Sequence, residues 1–228
     1  MPSLASQVLY EDNHLLIVNK LAGQLVQGDA TGDTPLVELM KGYIGEKYNK
    51  PGAVYLGVVH RLDRPTSGVV VFARTSKALT RLNAAFKERH VQKTYHCIVS
   101  AMPTPKSGDL EHYLLRNPKQ NKSYPVITGN KEAKLAKLSY RTIKSSDRYH
   151  LLEVDLHTGR HHQIRAQLAA VGSVIKGDLK YGAKRSNKDG SICLHARSIT
   201  LDHPVKKEPL TVVAPYPEDN LWRAMGKG

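Results

Sequence analysis

Val58–Ala73 reads VVHRLDRPTSGVVVFA. A strand-like apolar run enters, a polar turn follows, and a second apolar run, Gly68–Ala73, leaves. One carboxylate stands in that turn. Asp63 lies between Arg61 and Arg64, with Thr66, Ser67 and Gly68 behind it. Nearby guanidinium groups favour the ionised carboxylate and keep it available as a nucleophile near neutral pH. An isolated Arg-Leu-Asp-Arg is more often a turn aspartate in a weak surface ion pair, so the wider sequence has to decide.

Working outward, strand signals recur at Leu15–Asn19, Lys93–Val99, Leu151–Leu156, Ile192–Leu201 and Leu210–Ala214. Two segments carry helical spacing. In Ser76–Arg89 the residues Ala78, Leu79, Leu82, Ala85 and Phe86 share a face, and Thr75 or Ser76 can cap the start. In His161–Val171 a stripe of Ile164, Leu168 and Val171 forms, and Gly172 is placed to end the helix. Strands outnumber helices and do not alternate with them, which predicts an α+β fold on a mixed, largely antiparallel sheet flanked by helices and loops. Gly45–Gly52, Met102–Gly108 and Lys184–Gly190 read as surface loops. Met102–Gly108, with Pro103 and Pro105, is a candidate hinge between two lobes, but one domain over residues 1–228 is the expectation.

Composition narrows the function classes. At 228 residues, with 40% hydrophobic and 24% charged, the chain has the make-up of a globular domain with one sizeable core. No apolar run approaches a membrane span, and the N-terminus, with Glu11 and Asp12 early, has no leader pattern; a cytoplasmic, monomeric protein is expected. Cys97 and Cys193 form no CxxC pair, so neither a disulfide framework nor a cysteine zinc site is supported, and both read as small core residues. The net charge of +14 points to a polyanion partner, because phosphate neutralisation releases counterions.

HRLDRPTSG resembles the catalytic motif of the RluA-type pseudouridine synthases. Further landmarks of that family follow in order: VLYEDNHLLIVNK is similar to its opening strand pair, KTYHCIV at Lys93–Val99 to its tyrosine segment, and LHTGRHHQIRAQL at Leu156–Leu168 to the motif with a basic residue that pairs with the nucleophile. IKGDLKYG and LHA complete the pattern, which spans about Val8 to Pro217.

The resemblance implies a pseudouridine synthase fold with an active-site cleft across the sheet, and a reaction that isomerises uridine in RNA. The N-glycosidic bond breaks, the base turns, and a carbon–carbon bond forms to the same ribose. No redox change, metal or cofactor is required. Asp63 is the implied nucleophile. Tyr95 offers an aromatic face for the uracil and a phenol for proton handling, and Arg165 is the implied partner that orients the carboxylate. A uridine within a stem-loop must be flipped out before it can meet that carboxylate. Arg61 is similar to the family arginine that fills the vacated position, and a planar guanidinium can stack there. Arg64, Lys93, Arg160 and the basic loop Lys180–Lys188 are candidate phosphate contacts. The pattern starts within ten residues of Met1, so a separate N-terminal RNA-binding module is not expected.

Departures are few. His161 stands where the family usually has Thr, Ala166-Gln167 replaces a common Val-His pair, and Leu21 takes a place often held by Pro. None removes a proposed catalytic group. Ribosomal and transfer RNA are both substrates in the family, with ribosomal RNA the first expectation here. Two rival readings fit parts of the sequence. A metal site at His157, His161 and His162 is opposed by Gly159 inside the spacing and by the absence of HExxH, and the cluster is expected to border the RNA groove. A non-catalytic RNA-binding or ribosome-assembly protein fits the charge equally well but has no need of a carboxylate in a phosphate groove.

Overall fold

A computed structural model of the chain describes residues 3–127 and 129–226. They form two compact units, and neither is a continuous segment. The first takes the residues up to Val91 together with Ala196–Pro215, and the second takes Gln92–His195 together with the residues from Tyr216 onward. The elements are strands and helices without regular alternation, so the α+β fold class stands. The Met102–Gly108 stretch lies inside the second unit and marks no boundary.

In the first unit the chain forms β1 (Val8–Glu11), β2 (Leu15–Lys20), α1 (Leu36–Lys47), β3 (Gly57–Val58), β4 (Ser67–Ala73) and α2 (Ser76–Lys87). The Asp12 carboxylate closes the β1–β2 turn by accepting the amides of His14 and Leu15, each at 2.8 Å. β2 runs antiparallel to β4, from Leu15 opposite Ala73 to Lys20 opposite Gly68. Both strands are covered on both faces, which explains their nearly unbroken apolar sequences. Alternate side chains go to opposite sides. Leu15, Ile17, Val69 and Val71 pack with Ala78 and Leu82 of α2, while Leu16, Val18, Val70 and Phe72 pack with Leu36, Met40 and Ile44 of α1. The Thr75 side chain caps α2 by accepting the Ala78 amide, as the sequence predicts.

The second unit contains β5 (Gln92–Val99), β6 (Ser107–Asn117), β7 (Lys122–Val126), β8 (Lys134–Ser145), β9 (His150–Leu156) and α3 (Gln163–Ala170). The strands pair in the order β5-β9-β8-β6-β7, each pair antiparallel. β7 ends this run, and Pro125 suits a terminal strand because it has no amide to donate. The chain continues through β10 (Leu194–Asp202), which from Ala196 belongs to the first unit and pairs there with β11 (Pro209–Val213). α4 (Asn220–Gly226) contributes buried Trp222 and Met225 to the second unit.

Sequence periodicity missed several elements. α1 holds Gly42 and Gly45 and has no side-chain cap, so it carries neither a good propensity nor a start signal, and it runs into the expected Gly45–Gly52 loop. β6, β7 and β8 give weak strand signals because they bury few large apolar side chains, Leu114 on β6 and Leu138 and Tyr140 on β8. α3 is also different in kind from the expectation. Val171 falls outside it and is exposed, while the residues from Gln163 to Leu168 are all buried.

Candidate active site

Asp63 is half-buried on the loop between β3 and β4. The loop is fixed from several sides. Lys20, the last residue of β2, is completely buried, and its Nζ donates to the carbonyls of Leu21 (3.0 Å), Arg64 (3.1 Å) and Thr66 (2.6 Å). An ammonium has three N–H donors, so the charged form uses every one. Burial lowers the Lys20 ammonium to about 7, with the negative charge of Asp63 opposing that fall and Arg64 adding to it. The Thr66 amide donates to the Asp63 carbonyl at 3.0 Å, and the Gly23 amide to the Arg64 carbonyl at 2.8 Å. On the other side of Asp63, His60 stacks on Phe86 and its Nε2 accepts the amide of Val71 at 3.1 Å. Gly68 ends the turn with φ +115°, and a Cβ there would lie 2.3 Å from the Ala196 carbonyl oxygen. Only glycine allows that approach of β4 to its neighbour.

The two arginines beside Asp63 differ. Arg61 is exposed. Arg64 donates from Nε to the Gly23 carbonyl at 3.1 Å and pairs through Nη2 with the Asp33 carboxylate. Both members of that pair are largely exposed, so it contributes about 0–1 kcal/mol and a phosphate can replace it.

Tyr95 and Arg165 belong to the second unit. Lys93 and Tyr95 are two residues apart on β5 and share a face; Tyr95 is buried opposite Val154. The Lys93 Nζ approaches Gly159, 3.7 Å from where a Cβ would stand, next to Arg160. The turn into α3 is organised by Gln163, whose Oε1 accepts from the Thr158 hydroxyl (2.7 Å) and the Arg160 amide (2.9 Å), and whose Nε2 donates to the Lys137 carbonyl (3.0 Å). Arg160 donates its Nε to the Leu135 carbonyl at 2.9 Å.

Arg165 is 5% exposed, buried with its neighbours from Gln163 to Leu168 on α3. It makes a two-point pair with Asp178, Nε to Oδ2 at 2.7 Å and Nη2 to Oδ1 at 2.8 Å. Asp178 is itself 1% exposed. The guanidinium also lies over the Tyr181 ring, 5.1 Å from its centroid. Fixed by a carboxylate and a ring, it is a preorganised positive charge.

The three histidines have different partners. His157 meets the Ser139 hydroxyl at 2.7 Å, His161 meets Ser123 (2.9 Å) and Asn121 (3.0 Å), and His162 meets the Tyr181 hydroxyl at 3.1 Å. His161 and His162 stack with centroids 3.8 Å apart. Burial, with Arg165 and His161 adding, lowers His162 to about 2, so its ring is neutral at physiological pH. Cys97 and Cys193 are buried thiols, as expected.

Residues 14–170 match the family model described as RNA pseudouridylate synthase, which is well over half of the chain. The chain belongs to that family. An RNA pseudouridine synthase isomerises uridine within an RNA strand, and that is the reaction class of this chain. A pseudouridine synthase of Mycobacterium bovis is 37% identical over 93% of this chain and 70% of its own length. Ribosomal large subunit pseudouridine synthase D of Pseudomonas aeruginosa is 32% identical over 95% of this chain and 70% of its own. The fold is that of human RNA pseudouridylate synthase domain containing 4, with a TM-score of 0.79, 24% identity and coverage of 94% of this chain and 90% of that one.

Sequence reading of the synthase missed Lys20, Asp178, Tyr181 and Gln163. A signal existed for Lys20: in LLIVNK it shares a strand face with Leu16 and Val18, so its side chain had to be buried. Asp178 lies within the IKGDLKYG landmark, but nothing local pairs it with Arg165, 13 residues away, because no period joins a helix to that irregular segment.

Proposed function

We propose that Asp63 is the nucleophilic carboxylate with which this synthase converts uridine to pseudouridine, that Tyr95 supplies the aromatic surface for the uracil, and that Arg165 is the fixed cation of the reaction. We propose further that the substrate is a stem-loop of large-subunit ribosomal RNA, with Arg61, Arg64, Lys93 and Arg160 on its backbone or at the vacated base position. The observation that carries the reading is the Lys20 clasp. A buried ammonium holding the carbonyls immediately after Asp63 is an expensive arrangement, and an ordinary surface turn has no use for it. The two-point Arg165–Asp178 pair supports the same reading, since it fixes a guanidinium that a solvated helix arginine would leave mobile. The name of the Pseudomonas aeruginosa relative supports ribosomal RNA.

Asp63→Asn keeps the shape of the side chain and removes its charge. Pseudouridine formation on a defined uridine substrate is expected to vanish, with RNA affinity within about tenfold of wild type, roughly 1.4 kcal/mol. Retained turnover in the variant overturns the nucleophile assignment. Mapping pseudouridine in total RNA with and without the protein tests the substrate; new sites confined to transfer RNA would replace the ribosomal assignment.

A further inference from the structure

A cavity of about 230 Å³ lies on the second unit, lined by Leu114 and Arg116 of β6, Ser123 of β7, Glu132 in the turn before β8, Lys134 at the start of β8, and Gly159–His161 before α3. The sheet register explains why these side chains meet. Leu114 pairs with Lys134 and Arg116 with Ser123, and positions two apart on one strand share a face. The floor is closed, because Leu114 and Ser123 are buried. Arg116, Lys134 and Arg160 bring three cations against the single carboxylate of Glu132. Among the described residues none of the three makes an ion pair. Cations gathered without an equal counter-charge repel one another, and an anion between them relieves that repulsion.

The polar groups are also held in place. Arg160 is anchored by its Nε to the Leu135 carbonyl, which leaves the rest of its fork available. His161 is held between Ser123 and Asn121 and stacks on His162. Lys180 donates to the carbonyls of Gln120 (3.3 Å) and Asn121 (3.1 Å), bracing the turn between β6 and β7. A second feature ties this cavity to Arg165: the Ser123 amide donates at 2.9 Å to the Tyr181 hydroxyl, and the Tyr181 ring lies beneath the Arg165 guanidinium.

We infer that this cavity is a subsite for one phosphodiester of the RNA strand, and that its occupation supports the β6–β7 hairpin against Tyr181. The inference rests on the RNA-modifying function proposed above. One phosphodiester fits the charge, three cations less one carboxylate, better than an apolar ligand does. The volume is more than ten times the ~10–15 Å³ that admits one water, enough for a phosphate with part of its ribose.

The double variant Arg116→Gln/Lys134→Gln tests it. Both residues are exposed, so folding should be kept. Equilibrium binding of a substrate stem-loop, followed across a salt series, should weaken about tenfold at low salt. The slope of log K against log salt should become shallower by about 0.7–0.9, one phosphate contact. In turnover, KM for RNA should rise while kcat at saturating RNA is kept. Lys77→Gln/Lys87→Gln, which removes the same charge from exposed positions on α2, is the control and should change the slope by much less. Unchanged affinity and slope in the first variant, or an equal loss in the control, overturns the subsite. Binding is read separately from turnover, so a chain that binds RNA in this way but makes no pseudouridine would refute the proposed function and leave the subsite standing.

Discussion

At the scale of single residues, Lys20 and Asp178 are buried ionisable groups, and each has a distinct signature. Lys20 titrates at about 7 in the folded chain against 10.5 in the unfolded one. As pH falls from 10.5 towards 7 the unfolded chain takes up this proton and the folded chain does not, so the contribution is present above that window, lost through it, and level below it. Lys20→Met should remove that dependence. In urea titrations between pH 7 and 10, wild type should gain stability relative to the variant as pH rises, by at most about 1.4 kcal/mol per pH unit. At pH 7 the variant should also lose most of its turnover, because the Thr66 carbonyl loses the donor that holds it. Asp178→Asn tests the other charge. It takes the negative charge out of a buried two-point pair and should cost about 3–5 kcal/mol in urea unfolding.

At the scale of elements, the loop after β3 is placed by backbone geometry at its end. Gly68 has φ +115° and no room for a Cβ beside Ala196. Gly68→Ala should therefore displace β4 and lower stability by more than about 3 kcal/mol, seen as a fall in soluble yield and thermal midpoint. Gly23→Ala is the comparison, because φ is +90° there but nothing lies within 4 Å of the added carbon; about 1 kcal/mol is expected. The strand and helix assignments around Asp63 were readable because β2, β4 and α2 combine strong apolar patterning with clear ends. α1 was not, since a helix with two glycines and a Pro35 start depends on the Leu16–Phe72 face it covers. α3 was read at the right place but with the wrong surroundings, since periodicity reports a stripe and cannot report a helix buried nearly all round.

At the scale of the whole molecule, the net charge of +14 sets the response to salt. RNA affinity should fall steeply and linearly on a log–log plot, with a slope of several units, if several phosphates are neutralised. A flat response would count against a basic RNA surface. The distribution of that charge matters as much as its sum. Arg64 is paired with Asp33, and Lys47 and Arg74 are gathered on Glu11, whereas the cations of the β6–β8 cavity make no ion pair among the described residues.

The amino-acid sequence alone determined the family, the α+β class, the strands around Asp63 and the polyanion partner, because those depend on local pattern, ordered motifs and composition. It also marked Asp63, Tyr95 and Arg165 as the residues to follow. Tertiary structure alone decided that Lys20 turns its ammonium onto the carbonyls beyond Asp63, that Arg165 is clasped by Asp178 over Tyr181, and that Arg116, Lys134 and Arg160 line one cavity. Each of these joins residues from 13 to more than 40 positions apart. Contacts at that distance are set by strand register and by the satisfaction of buried polar groups, and neither leaves a local period in the chain.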